Sequence, residues 1–496
     1  MTDAAITVHT GARIDRIAPE LHGHFAEHLG RCIYDGVRHD ETADDEGFRE
    51  DVFALLAALE LPVLRWPGGC FADDYHWEDG VGPRAERPRR RNLFWAQGRR
   101  KLPEEPNAFG TDEFLRLCER LDAEPYLAVN VGSGDPQEAA DWVEYCNYGG
   151  DTDLADRRRA NGHEEPYGVR YWGLGNENWG CGGQMSPEQY AREYRRFATY
   201  VGTMDNLMVE EELELVACGF ENHEWNRRFM AEVAESSWGV EFPLDHLTLH
   251  HYYGRGMSVA EADGDQYDRF LADALAMDDH VRRIAAAIDA TASTRDVGVV
   301  VDEWGAWHTE ARAESGLEQP GTVLDALAAA AVLDVFTRHS DVMTMANIAQ
   351  TVNVLQCLVE TDGDDAWARP TYHVFDLYAP HQGNEAVRTS VETPARSLAD
   401  GDLPLVGASA STDDDGTYVT VTNLDCRDSR VVDLALAGRP VEDATAQVLF
   451  DGHDPDATVD ADNADTFGPE ELAVSADDGR LTVDLPPATA AAVSVR

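Results

Sequence analysis

From Leu21 to Gln350 the chain alternates short apolar runs with helix-like ones, eight strand-like runs in all, and few folds accept that rhythm. The runs are Leu21–Leu29, Val63–Pro67, Pro125–Gly132, Tyr171–Gly180, Leu213–Phe220, Leu247–Tyr253, Val297–Glu303 and Val342–Gln350. A short apolar run suits a strand buried on both faces, and a helix between successive strands is the crossover that parallel pairing needs. The intervening segments read as helices. Phe114, Leu117, Cys118 and Leu121 stand at i, i+3, i+4 and i+7, Asp135-Pro136-Gln137-Glu138 and Ser186-Pro187-Glu188-Gln189 open helices, and Leu271–Ile288 is expected to be one further helix. Eight such units predict an α/β fold, a (β/α)8 TIM barrel.

Two of the runs end in carboxylates. Tyr171–Gly180 reads YWGLGNENWG and delivers Glu177 just beyond a strand; Gly298–Gly305 reads GVVVDEWG and delivers Glu303. Strand ends at the carboxyl face are where such barrels place their chemistry. A lone glutamate there is most simply a solvated loop residue. Two, each followed closely by tryptophan and glycine, suit glycoside hydrolysis: one acid, one base or nucleophile, and aromatic rings for sugars.

After about Leu377 Asp-Gly turns and alternating strands such as Tyr418–Thr422, Val431–Leu436 and Leu481–Leu485 take over, the pattern of a β-sandwich. The expected division is residues 1–15 as an N-terminal strand available to the sandwich, 16–376 as the catalytic barrel and 377–496 as the sandwich. The acidic stretch 451–472 is expected to be a mobile surface excursion.

Hydrophobic residues make up 43% of the 496, enough for a sizeable core despite a net charge of −53. Lys101 is the only lysine, so arginine supplies nearly all the positive charge. Such a surface disfavours nucleic acid and suits a salt-loaded cytoplasm, where ions screen the acidic self-repulsion. The N-terminus lacks the basic start and apolar core of a secretory signal, and no run reaches the ~18 apolar residues of a membrane span. A soluble, cytoplasmic protein without membrane contact is expected. The eight cysteines are scattered, with no CxxC pair, and are read as reduced thiols rather than a disulfide framework or a zinc site.

The set FAEHLGR (25–31), LRWPGG (64–69), YWGLGNENWGCGG (171–183), LHHYY (249–253), VDEWG (301–305), MANIAQTVN (345–353) and TYHVFDLY (371–378), in this order, resembles glycoside hydrolase family 51, the α-L-arabinofuranosidases. The likeness runs from about Leu21 to Gln382. It implies Glu177 as acid/base, Glu303 as nucleophile, Asn176 on the hydroxyl next to the anomeric carbon, and Arg65 and Tyr252 as supports of the nucleophile. Glu27 and Gln350 match positions that bond the arabinose ring. Cys70 stands where many members carry a sugar-binding asparagine, and its thiol would be a weaker partner in the pocket; Cys181 could lie near it. The resemblance further implies a retaining double displacement on arabinose-containing oligosaccharides, carboxyl groups about 5–5.5 Å apart, no metal or other cofactor, and a homo-oligomer, a hexamer.

Other readings stay open at this point. A β-xylosidase or endo-glucanase would keep both glutamates, and a non-catalytic sugar-binding protein would keep the aromatics. A metal-dependent hydrolase would need a ligand set such as His22-Gly23-His24, which falls at the wrong end of the first strand. His28, His250 and His251 suit structural hydrogen bonding more than catalysis, and Trp179, Trp304 and Trp307 are either sugar platforms or packing.

Overall fold

The computed structural model describes residues 3–39, 47–95, 104–208, 212–234, 243–291, 296–399, 401–438, 441, 443–477 and 479–496. Eight strands close into a barrel: β1 Gly23–Phe25, β2 Val63–Trp66, β3 Glu124–Val129, β4 Tyr171–Leu174, β5 Glu214–Ala217, β6 His246–Tyr253, β7 Gly298–Ala306 and β8 Met343–Ala349. Every neighbouring pair is parallel, including β8 against β1. Strand period decides what faces in. Val63, Tyr126, Tyr171, Val216, Val300 and Met345 fill one inner layer, while the alternate residues Leu64, Leu127, Trp172 and Val301 join the larger core outside the barrel. Arg65, two residues after Val63, therefore points inward one layer above.

The first strand is shorter than the expected Leu21–Leu29, because Pro19 opens a 3₁₀ turn that runs through His22. The single helix expected over 271–288 is two: Gly264–Leu275 and α1, Met277–Asp289. The break at Ala276 falls where the Asp273 carbonyl also accepts from His251 Nε2, at 2.9 Å.

Ten further strands form one sheet, in which Ala4–Arg16 lies between Glu385–Glu392, antiparallel, and Arg430–Ala437, parallel, and three two-stranded pairs stand apart from it. Val448 and Val483, near its opposite edges, belong to the same apolar cluster. In a flat sheet they would stand on the order of 30 Å apart, so the sheet folds over on itself as a β-sandwich. Helix α2, Val323–Arg338, is buried between barrel and sheet along almost its whole length, and its run of alanines permits the close approach. Asp334 on it accepts from Ser409 and Thr420 of the sheet at 2.7 and 2.6 Å, and burial pushes its carboxyl up to about 6.

The acidic stretch 451–472 is not a free excursion. Pro455 and Ala457 give their carbonyls to the N–H groups of Leu324 and Val323, two donors that the first turn of α2 cannot satisfy internally. Phe467, within the stretch, is buried and stacks on His453, and Glu470–Leu472 pairs with Ala444–Leu449.

Candidate active site

Arg65 has no exposed surface, and a buried guanidinium must be matched by acidic partners. Its Nη1 donates to Glu303 Oε1 at 2.9 Å and its Nη2 to Asn176 Oδ1 at 2.7 Å, while Nε lies 3.5 Å from Asp302 Oδ2. The faces of Phe25 and Tyr126 cover it. Asp302 and Glu303 are consecutive, so a regular strand would send them to opposite sides. The register of β7 against β6 shifts between Val300 and Glu303, and both carboxylates reach Arg65.

Tyr252 donates to Glu303 Oε2 at 2.9 Å, so each oxygen of that carboxylate is held. His250, two residues back on β6, lies 2.9 Å from Glu177 Oε1, 3.4 Å from Glu303 Oε2 and 2.9 Å from Asp302 Oδ1. Burial pulls its imidazole down, but Glu303 and Asp302 outweigh that and leave it well above its ordinary value. Burial likewise opposes ionisation of Asp302, and Arg65 and His250 bring it below the usual carboxylate range. His250, read from sequence as a structural hydrogen-bonding group, sits among three carboxylates. It faces both glutamates.

Glu177 lies three residues beyond β4, with φ of 41°, in the left-handed region that costs a non-glycine residue strain. The turn is tied by Gly180 N–H and Gly182 N–H donating to the Glu177 carbonyl. The side chain is 19% exposed, against 8% for Glu303. An oxygen of Glu177, an oxygen of Glu303 and a nitrogen of His250 all lie within 4.8 Å of one another.

Cys70 is not a free thiol. It forms a disulfide with Cys181, 111 residues away, because the loops after β2 and β4 meet over the barrel mouth. The reading of these two as reduced cysteines is corrected, as is that of Cys70 as a thiol partner for sugar; their sulfurs are equally closed to metal. Cys181 Sγ stands 3.7 Å from Glu177 Oε2 and 3.8 Å from Asn176 Nδ2, so the disulfide forms part of the wall beside them. The other six cysteines are free.

Glu27 and Gln350 are neighbours joined by a hydrogen bond. Gln350 Nε2 donates to Glu27 Oε2 at 3.1 Å, and Glu27 Oε1 accepts from Phe71 N–H at 3.1 Å and Trp95 Nε1 at 2.8 Å. Burial, then the neighbouring Glu303, push the Glu27 carboxyl up to about 7. A Cβ on Gly68 or Gly69 would come within 2.5 Å of Glu27 Cγ or Glu303 Oε1, so the Gly-Gly pair lets the backbone pass between the two acids.

Trp95 had no signal in the sequence beyond its type. Trp304, by contrast, is fully buried against Phe336 and Phe375 and packs the barrel wall. Trp307 stands edge-on to Tyr252, with ring centres 5.1 Å apart, and Trp179 stacks on Phe220 at 4.0 Å. His28 is structural, bonded to Glu105 and to Trp66 Nε1. His22 and His24 are buried under Phe375 before and within β1, and burial lowers both to about 3.

Two family models match the chain: the alpha-L-arabinofuranosidase 1 domain over residues 55–270 and the alpha-L-arabinofuranosidase C-terminal domain over 302–489. The intracellular exo-alpha-L-arabinofuranosidase of Bacteroides ovatus is 37% identical over 460 residues, covering 90% of this chain and 86% of its own. The family 51 arabinofuranosidase of Xanthomonas axonopodis pv. citri superposes with a TM-score of 0.93 at 34% identity over 100% of both chains. The arabinose complex of the Thermotoga maritima alpha-L-arabinofuranosidase superposes with a TM-score of 0.87 at 31% identity, over 99% of both.

Proposed function

We infer, for a chain that belongs to the α-L-arabinofuranosidases of glycoside hydrolase family 51, a retaining, exo-acting enzyme that releases terminal arabinofuranosyl units from arabinoxylan- or arabinan-derived oligosaccharides. The carrying observation is the pair of glutamate oxygens within 4.8 Å of each other. That spacing suits a direct attack on the anomeric carbon, whereas inversion needs room for a water between the carboxylates.

The surroundings separate the two roles. Glu303 has a donor on each oxygen, Arg65 and Tyr252, which aims it as a nucleophile. Glu177 is the more accessible and faces His250 across a 2.9 Å contact. From there it protonates the departing oxygen and later takes a proton from the incoming water. Gln350 Oε1 is buried with no partner among the described residues, and with Glu27 it offers acceptors for ring hydroxyls. Asn176, oriented by Arg65, presents its amide beside Glu303. Cys70 contributes only as half of the disulfide wall.

Glu303→Ala should lose nearly all activity on every substrate, and azide should restore turnover to give a sugar azide of inverted configuration. Glu177→Ala should keep its first step on dinitrophenyl substrates, with azide giving the retained product. The opposite pair of configurations reverses the roles. In an aryl glycoside panel, faster turnover of xylosides than of arabinofuranosides would replace the substrate reading. The acidic surface supports work in a salt-rich cytoplasm, the Bacteroides ovatus relative is named intracellular, and among the described residues no helix is long and apolar enough to cross a membrane. We further propose a homo-oligomer, a hexamer, which light scattering would test.

A further inference from the structure

His250 faces the barrel interior, so strand alternation turns the next residue, His251, to the outside. There it meets Glu221, from the loop between β5 and the helix His223–Ala234, and His280 of α1. His251 Nε2 lies 2.9 Å from the Asp273 carbonyl, which can only accept, so that nitrogen carries the proton. Its Nδ1 then faces Glu221 Oε1 at 3.1 Å, another group that accepts. The His280 ring centre lies 4.6 Å from that of His251, and its buried Nδ1 has no partner among the described residues.

One ligand atom from each of Glu221, His251 and His280 falls within 4.8 Å of the others. A tetrahedral zinc site, with bonds of about 2.0–2.2 Å, has ligand atoms ~3.4 Å apart. The His251–Glu221 contact is already that short, and small rotations of the exposed Glu221 and half-buried His280 would close the rest. The Asp273 carbonyl on the far nitrogen of His251 is the kind of outer partner that fixes a metal-binding imidazole. In the absence of a cation, a proton on Nδ1 satisfies the pair: burial disfavours it, while Glu221 and the Asp273 carbonyl outweigh burial and raise His251. His280 is lowered by burial and by His251, which leaves it in the neutral form that ligates. Arg255, close enough to stabilise the Glu221 carboxylate, opposes a cation. Arg283 on α1 is engaged by Asp279 at 2.7 Å.

We propose that Glu221, His251 and His280 bind a divalent transition-metal ion of the zinc class on the outer wall of the barrel. Two imidazoles and one carboxylate favour zinc, cobalt or nickel over calcium and magnesium, which prefer oxygen ligands. Water would complete the coordination. The site would clamp the end of β6, which carries His250 and Tyr252, to α1 and the β5 loop, and it stands independently of the sugar chemistry.

The test is to strip the full-length protein with chelator and titrate it with Co²⁺. One Co²⁺ per chain, with the visible absorption of a low-coordinate site and displaceable by Zn²⁺, is expected. Glu221→Gln and His280→Gln should each weaken binding by at least about tenfold. His280→Gln should keep full turnover in chelator, which certifies its fold. Glu303→Gln should leave the stoichiometry unchanged, which separates this site from the carboxylates around His250. Absence of bound Co²⁺ at ~1 mM, equal binding in both outer-wall variants, or loss of binding in Glu303→Gln would each overturn the proposal.

Discussion

Tyr252→Phe removes one hydroxyl and leaves a ring packed against Trp307, so it isolates the 2.9 Å bond to Glu303 Oε2. A hydrogen bond to a charged group contributes about 1.5–3 kcal/mol, which corresponds to roughly 10- to 150-fold in rate if it is felt wholly in a transition state. The bond does not act equally in the two steps. In the first, Glu303 gives up charge as it attacks, and the hydroxyl stabilises the reactant carboxylate, so its loss is partly compensated. In the second, Glu303 is the leaving group and regains its charge as the sugar departs, and the hydroxyl then stabilises the transition state. Tyr252→Phe should therefore lower kcat on dinitrophenyl arabinofuranoside by about 10- to 100-fold while kcat/KM falls much less. KM should drop with kcat, a burst should appear in stopped-flow traces, and the covalent intermediate should be visible by mass spectrometry. A fall confined to kcat/KM, with kcat unchanged and no burst, would refute this account of Tyr252.

Other consequences follow from the same geometry. Glu27 keeps its proton to about 7 when folded, against 4.5 unfolded, so the folded state binds more protons between these values and stability falls as pH rises through that window. The loss is about 3 kcal/mol and levels off above pH 7; Glu27→Gln should flatten that slope in urea unfolding, and an unaltered slope would contradict it. Thiol titration of denatured, unreduced protein should give six groups per chain, rising to eight after reduction, and a thiol reagent should leave the native, unreduced enzyme active. Eight groups without reductant would remove the disulfide. The −53 charge should make stability depend on salt, since ~1 M shortens the screening length to about 3 Å; an unchanged melting temperature in salt-free buffer would sink that reading.

Much of this protein is legible along the chain because its barrel repeats a local rule. Apolar period depends on a few neighbouring residues, so the helix signalled by Phe114, Leu117, Cys118 and Leu121 appears in the structure as Thr111–Leu121, and Glu177 falls just beyond β4 and Glu303 in the last half of β7. Period two also explains why Val63 faces inward and Arg65 after it. The same rule fails where backbone departs from regularity. Alternation would separate Asp302 from Glu303, and only the register shift against β6 puts both on Arg65.

What tertiary structure alone decided concerns residues far apart in sequence. Nothing near Cys70 marks Cys181 as its partner, since the loops after β2 and β4 approach only once the barrel has closed. His250 could be read as one more histidine on a strand, and its contacts with Glu177, Asp302 and Glu303 exist because β4, β6 and β7 converge at one mouth. The acidic 451–472 stretch has the composition of a solvated loop, yet α2 has N–H groups in its first turn that need acceptors, and the stretch supplies them. Composition and period report what a residue prefers to touch. Which atoms meet is set by long-range closure, and that is why the glutamates were readable and their disulfide wall was not.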